Sequence, residues 1–351
     1  MNIKPLFELM VEKKASDLFF APFAPVKIKI DGKIMSVNKL QLTPKQVRQA
    51  AMEIMTEDQL ESLGRDLEVD FAVSEQGLGR FRVNVFHQRG NLAMVLRYIT
   101  AEMPTLEELG MPSIFNDLIM NKRGLILMVG STGSGKSTTI AAMINHRNAN
   151  TASHIITIED PIEFLHKNQK SIVNQRELGL DTRSYHNALR SALRAAPDVV
   201  MIGEIRDVET MQAAINVAGT GQLAVATLHS NNAPETLDRI INMFPVAQQK
   251  QVFIDLSQYL KAIVSQRLVR NREGKRVAAV ELMLNTPHIA ELVEKGDIVA
   301  VKEALKDSTE QGMQNFDNAL LKLYRKGTIT LQEALANADS RTNLEAQINF
   351  G

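Results

Sequence analysis

Hydrophobic and polar positions follow two different rhythms along this chain, and the change between them divides it. Near the start, Ile3, Leu6, Phe7 and Met10 recur at helical spacing with charges between them. Val26 to Ile30 then alternates as a strand, Asp31-Gly32 supplies a tight turn, and helical periodicity runs from Thr43 to Leu63. From Gly79 to Ile99 the alternation predicts a hairpin turning at Gln88-Arg89-Gly90-Asn91. Pairing about that turn sets Phe81, Val83 and Val85 opposite Tyr98, Leu96 and Met94, giving one apolar face. The other face carries Arg80 and Arg82, with Arg82 directly across from Arg97. Like charges so placed destabilise a strand pair, so the two arginines call for an anion.

Met103-Pro104 and Met111-Pro112 bracket a short helical stretch and mark a connection. Beyond it, continuous apolar runs replace alternation: Gly124 to Val129, His154 to Ile158, Asp198 to Ile202, Gln222 to Leu228 and Val277 to Leu284. Helical patterns separate them, which predicts a mostly parallel sheet covered on both faces. From about Pro287 the tail is helical. The expectation is an α/β chain with a small domain at 1–100, a linker at 101–112, a sheet domain at 113–286 and a helical subdomain at 287–351.

Composition narrows the partners. Forty basic and forty acidic residues cancel, so no global field recruits nucleic acid or an anionic membrane. The chain has no cysteine, which excludes disulfides and cysteine-ligated zinc and suits a reducing cytosol. No stretch resembles a signal peptide or approaches the roughly 18 apolar residues of a spanning helix. Direct membrane insertion is therefore not expected, and attachment would come through a protein partner.

The first strand of the sheet domain runs into candidate chemistry. Gly130-Ser131-Thr132-Gly133-Ser134-Gly135-Lys136-Ser137 matches the Walker A pattern in full, after an apolar strand and before a helix from Thr138 to Ile144. The glycines let backbone N–H groups converge on phosphate, and the helix N-terminus adds favourable partial charge. Lys136 would bridge the β- and γ-phosphates of ATP, and the Ser137 hydroxyl would hold Mg²⁺. Asp198 to Ile202 ends in Gly203-Glu204-Ile205-Arg206-Asp207, the Walker B logic of an acid at a strand end, on a strand expected beside the P-loop strand. Gly203 stands where a metal-side aspartate is common, which leaves Glu204 to orient or deprotonate the attacking water, or to hold the metal through water. Ile155 to Ile158 leads to Glu159, Asp160 and Glu163, three acids for which Mg²⁺ is the natural counter-charge. Glu159 is the metal candidate and Glu163 the acid expected to reach the water. His229, after Gln222 to Leu228, is placed to read the γ-phosphate.

In this order the four segments resemble the Walker A, Asp box, Walker B and His box of the secretion ATPase superfamily, and the resemblance covers nearly the whole chain. Lys14-Ala15-Ser16-Asp17-Leu18-Phe19-Phe20 resembles the opening shared by the PilT/PilU retraction ATPases of type IV pili, and Phe81-Arg82-Val83-Asn84 their second shared patch. Phe19-Phe20, Pro287 to Glu294 and Gln311 to Asp317 are more similar to the PilU branch. The resemblance implies a PAS-like N-terminal domain, a RecA-like P-loop domain and a helical tail. It implies an ATP- and Mg²⁺-dependent homohexameric ring that retracts pili from the cytoplasmic face of the inner membrane. The partners it implies are the pilus platform protein and a second motor of the PilT type. It also implies phosphate contacts for Arg82, Arg97 and Arg194. One departure is Gln222, where the His box begins Thr-Gly-His; glutamine can still donate a hydrogen bond to phosphate. Two other readings stay open: a slow regulatory module that assists a dominant motor, and a RecA-like nucleic-acid translocase, which the zero net charge disfavours.

Overall fold

The computed structural model describes residues 3–99, 102–308 and 312–350. Residues 100 and 101, at the expected domain boundary, and Gln311, in the run compared with the PilU branch, lie outside them. The chain forms two compact units, Met1–Glu102 with Glu163–Leu165, and Met103–Ile162 with His166–Gly351.

In the first unit, α1 (Lys4–Glu12) is followed by β1 (Asp17–Phe20), β2 (Pro25–Ile30) and β3 (Lys33–Gln41). Two helices, α2 (Pro44–Ile54) and α3 (Glu57–Asp66), precede β4 (Glu68–Glu75), β5 (Gly79–Gln88) and β6 (Asn91–Ile99). The strands form one sheet in the order β3-β2-β1-β6-β5-β4. Its apolar face, with Leu18, Phe20, Phe81, Val83, Met94 and Leu96, packs against Phe7 and Met10 of α1, Val47 and Ala50 of α2 and Leu63 of α3. The Phe7 ring stacks on Phe81 at 4.1 Å. Each such fully buried side chain contributes about 1.5–3 kcal/mol, so the alternation read in the sequence is a large energetic term.

The β5–β6 hairpin has the expected register, with Phe81↔Tyr98, Val83↔Leu96, Val85↔Met94 and Arg82↔Arg97. Arg89 and Gly90 both take positive φ, 48° and 74°, the conformation of a two-residue hairpin turn whose twist suits the strands. The single periodic run from Thr43 to Leu63 is two helices. Thr43 with Gln46 and Thr56 with Gln59 each form a capping box, and extended Met55 separates them. The second box offsets part of the cost of a new helix start, satisfying the Thr56 and Gln59 N–H groups.

The anion that Arg82 and Arg97 call for comes from neighbouring strands. Asp17 lies across from Arg97 in the β1–β6 pair. It accepts a hydrogen bond from Arg97 Nε at 2.9 Å, and Asp70 on β4 lies 3.8 Å from Arg82 Nε. Asp17 is buried while Arg97 remains 68% exposed, so Arg97 keeps donors free of Asp17.

In the second unit, Thr105–Gly110 forms hydrogen-bonded turns in place of the expected short helix, and α4 (Ile114–Ile119) follows. Then come β7 (Gly124–Val129), α5 (Lys136–Asn150), β8 (His154–Glu159), β9 (Ile172–Glu177), α6 (Tyr185–Ala192), β10 (Val199–Ile202), α7 (Val208–Gly219) and β11 (Leu223–Leu228). Helices α8 (Ala233–Met243) and α9 (Val246–Tyr259) lead into β12 (Leu260–Arg270) and β13 (Arg276–Leu284). The sheet order is β13-β12-β7-β11-β10-β8-β9, parallel except for the β12–β13 pair. Every residue of β7, β10 and β11 is buried, as continuous apolar runs require of strands covered on both faces.

Strand order corrects one expectation. The Walker B strand β10 is not beside the P-loop strand β7, because β11 pairs with both and lies between them. Two strand spacings, about 10 Å, separate β7 from β10. The tail forms α10 (Pro287–Lys295), α11 (Ile298–Lys306), α12 (Phe316–Arg325), α13 (Leu331–Asn337) and α14 (Arg341–Phe350). Ile289, Val293, Val301 and Leu305 join the main core, while Phe316, Leu320, Ile329, Ala334 and Leu344 build a second cluster on Val269 and Ala279.

Candidate nucleotide site

Parallel registers bring the carboxyl ends of β7, β11, β10 and β8 to one edge: Leu228 pairs with Val129, and Ile202 with both Ala226 and Ile158. This is where ligands gather in open α/β sheets. The P-loop leaves β7 at Gly130, whose φ is 148°. A Cβ there would lie 2.5 Å from the Gln266 carbonyl of β12, so only glycine fits this approach. Gly135, with φ 90°, stands at the N-cap of α5 and offers no side chain to the N–H groups of the first turn. Those donors are left for an anion. Buried Lys136 donates to the carbonyl oxygens of Gly130 and Ser131 at 2.7 and 2.8 Å. Among the described residues, the buried Ser134 hydroxyl has no hydrogen-bond partner, as a group awaiting a phosphate oxygen would. Ser131, Thr132 and Gly133 are exposed, and Ser137 and Thr138 are half-buried at the start of α5.

Because β11 intervenes, His229 spans the gap between the loop and the acid. Its Nε2 lies 2.8 Å from Glu204 Oε1, and its Nδ1 lies 3.3 Å from the Gly130 carbonyl oxygen. Both ring nitrogens face oxygen acceptors, and an imidazolium would donate to both. Arg206 Nε donates to the other Glu204 oxygen at 2.7 Å and reaches Asp160 at 3.5 Å. The Thr227 hydroxyl donates to the Gly203 carbonyl and fixes the backbone beneath the acid. A line of contacts therefore runs from the P-loop through His229 and Glu204 to Arg206 and Asp160.

Of the other expected site residues, Glu159 and Arg194 belong to the same unit as that line and Glu163 to the other. Glu159 is buried and accepts hydrogen bonds from Thr157 Oγ1 at 2.6 Å and Gln175 Nε2 at 3.1 Å. Arg206 lies beside Asp160 and supplies that acid with a counter-charge. Glu163 is exposed in the irregular segment after β8, and Arg194 is exposed on a single 3₁₀ turn, Leu193–Ala195, ahead of β10.

Arg206 was present in a run already singled out, and a base two residues past a strand-end acid was the signal for it. Less legible was a cleft of about 600 Å³ beside the P-loop helix, lined by Gly135, Thr138, Thr139, Gln266, Arg276 and, from the tail, Lys326. Thr139 donates to Gln266 at 2.9 Å on its wall. The cleft is large enough for a nucleoside next to the phosphate loop. Glu281 supports the site from behind. Burial pushes its carboxyl up to about 7, and it accepts from the Ala233 N–H at 2.8 Å and the Ser265 hydroxyl at 3.1 Å. It thereby pins α8, which starts four residues after His229, to the sheet.

Gln222 does not reach phosphate within the chain. It lies at the amino end of β11, where its carbonyl accepts from Gly124 N–H, whereas Gly130 follows the carboxyl end of the adjacent strand. Six residues of strand amount to about 20 Å. Its side chain accepts instead from the Thr220 hydroxyl at 2.7 Å. Gln222→His should therefore leave the pH–rate profile of ATP turnover unchanged; a new ionisation near neutrality, where histidine titrates, would sink this placement.

Comparison with known proteins identifies the family of the chain and relatives of its fold. A family model described as type II/IV secretion system protein matches residues 1–286. The chain is 51% identical to the type IV pilus ATPase PilU of Pseudomonas aeruginosa, a match covering 100% of this chain and 92% of that one. It is 40% identical to the type IV pilus retraction ATPase PilT of the same organism, covering 96% of this chain and 98% of PilT. A crystal structure of the pilus retraction motor PilT with bound ADP superposes with a TM-score of 0.92 at 43% identity, covering 98% of this chain and 99% of that one. The chain belongs to the type II/IV secretion system protein family and is an ATPase of its PilT/PilU group.

Proposed function

We propose that the chain is the subunit of a homohexameric, ATP-hydrolysing motor that retracts type IV pili and so drives twitching motility. The observation that carries this reading is the contact line from the P-loop through His229 to Glu204, a phosphate cradle wired to a carboxylate. ATP would seat its phosphates on the N–H groups of the Gly130–Ser137 loop and its nucleoside in the adjoining cleft. Lys136 would exchange the carbonyls it now meets for the β- and γ-phosphates, gaining charge-assisted hydrogen bonds. Ser137 would hold Mg²⁺, with Glu204 placed to bind its water shell; that cation, when bound, neutralises charge between the β- and γ-oxygens. Glu159, which accepts from Thr157 and Gln175, is proposed as a second carboxylate on the metal side. Glu204 takes the proton of the attacking water, and His229 carries the state of the γ-phosphate side to the neighbouring strand. Glu163 is proposed to join this water only once nucleotide is bound.

Arg82 and Arg97 are proposed to serve nucleotide at the interface with a neighbouring copy, and Arg194 to contact phosphate. Arg97 supports this, since it is exposed although paired with Asp17. The ring would work on the cytoplasmic face of the inner membrane through the pilus platform protein, with a PilT-type motor as a second partner. No described helix is long and apolar enough to cross a membrane.

The test mixes two inactive variants, Lys136→Ala and Arg97→Ala, under conditions of subunit exchange. An arginine supplied in trans contributes roughly 10³–10⁵ in rate, so Arg97→Ala alone should bind ATP yet turn over very slowly. Mixed rings should recover partial turnover, because some interfaces pair an intact P-loop with an intact Arg97. With exchange confirmed, no recovery would defeat the shared site.

A further inference from the structure

Gly203 stands where a Walker B strand commonly presents an aspartate, and the structure shows what takes up that room. A Cβ at Gly203 would lie 3.0 Å from the Ile158 carbonyl, 3.0 Å from the Tyr185 hydroxyl and 3.2 Å from Glu159 Cα. Backbone closes two of these directions, and the phenol closes the third. A side chain beginning at position 203 would press on the Tyr185 oxygen and require it to give by a few tenths of an ångström.

Tyr185 is well held there. It opens α6, whose N-cap Ser184 accepts from Asn187 N–H and whose Ala188, Leu189 and Ala192 are buried. The tyrosine itself packs against the main core. Its hydroxyl oxygen is buried and, among the described residues, has no hydrogen-bond partner. A buried hydroxyl without a partner is costly, and such groups are uncommon unless something else meets them. Burial, then Asp160, with Glu204 and Glu159 adding and Arg206 opposing, pushes the phenol up to about 12. It is thus a neutral donor throughout the physiological range. The acids whose charges act on it, Asp160, Glu204 and Glu159, follow or end β8 and β10, and Arg206 pairs with the first two.

We propose that Tyr185 is a positioning residue of the hydrolytic centre: once nucleotide is bound its hydroxyl donates to the Glu204 carboxylate, and so aims it. This rests on the ATP-hydrolysing reading above and deepens it. The tyrosine supplies from α6 the polar group that the strand itself lacks at position 203. A hydrogen bond to a charged acceptor is strong enough to orient it.

Tyr185→Phe tests this with almost no change in shape. If the hydroxyl only sat buried and unpaired, its loss should leave turnover unchanged and stability equal or higher. The proposal expects kcat to fall at least about tenfold, the worth of one hydrogen bond to a charged group, with KM for ATP and the melting temperature unchanged. Because the tyrosine acts through Glu204, the double variant Tyr185→Phe/Glu204→Gln should be no slower than Glu204→Gln alone. A kcat within about twofold of the parent overturns the proposal, and so does a fall in kcat matched by loss of ATP affinity or melting temperature. Additive losses in the double variant also overturn it. A parent protein without ATP turnover would instead overturn the functional reading on which this rests.

Discussion

Glu204→Gln should reduce ATP hydrolysis by roughly 10²–10⁴-fold while leaving ATP binding nearly intact, the range that a positioned proton acceptor contributes. The carboxylate ends β10, within 3 Å of both His229 and Arg206, and its side chain is only 18% exposed. Glutamine keeps the shape and can still accept from Arg206, but it cannot take a proton from water. Its NH₂ group then faces His229 Nε2 and can donate to it when the ring proton sits on Nδ1, toward Gly130. The neighbours tolerate this, since Arg206 remains 59% exposed and can turn to water. Only interactions stronger in the transition state affect kcat, and this one is of that kind. Phosphate release and binding of a fluorescent ATP analogue, measured on the same preparation, separate the two effects. A fall in affinity equal to the fall in rate would assign Glu204 to ground-state binding instead.

Lys136→Ala should weaken ATP binding by roughly 10²–10⁴-fold and abolish turnover at ordinary ATP concentrations. Two hydrogen bonds from a charged donor contribute about 1.5–3 kcal/mol each, and each 1.4 kcal/mol is tenfold in affinity. In the structure the ammonium is buried and donates to Gly130 and Ser131, so the same side chain also braces the loop. Alanine leaves those two carbonyls without their donor, and the loop should loosen locally while the rest of the sheet holds. Isothermal titration with ATP, alongside a melting curve, distinguishes this from global unfolding. Undiminished affinity in a folded Lys136→Ala protein would place the nucleotide elsewhere.

How much of this was legible depends on whether the signal is local. The β5–β6 hairpin was readable to the residue, because period-two alternation and a two-residue turn specify register without reference to the rest of the chain. The P-loop was readable for the same reason: strand, glycines, lysine and helix are contiguous. Strand order was not. An apolar run such as Leu223–Leu228 records that both its faces are covered, but not which strands flank it. The bridging place of His229 between Gly130 and Glu204 follows only from that order. Strand β12 went unread because Ser265, Gln266 and Arg267 interrupt its apolar pattern, and β9 because Asn174 to Glu177 is polar throughout. Gln266 walls the cleft beside the P-loop helix, so the residue that hid the strand lines the candidate site. Asp17 could not be foreseen opposite Arg97, since 80 residues separate them and only the β1–β6 pairing joins them.

The central claim is that Glu204 performs the hydrolytic step on ATP held by the P-loop. The most direct measurement identifies the nucleotide retained by Glu204→Gln after incubation with ATP and Mg²⁺, released by denaturation and separated by chromatography. The account expects intact ATP on the variant and ADP on the parent protein. ADP accumulating on Glu204→Gln at the parent rate would contradict it.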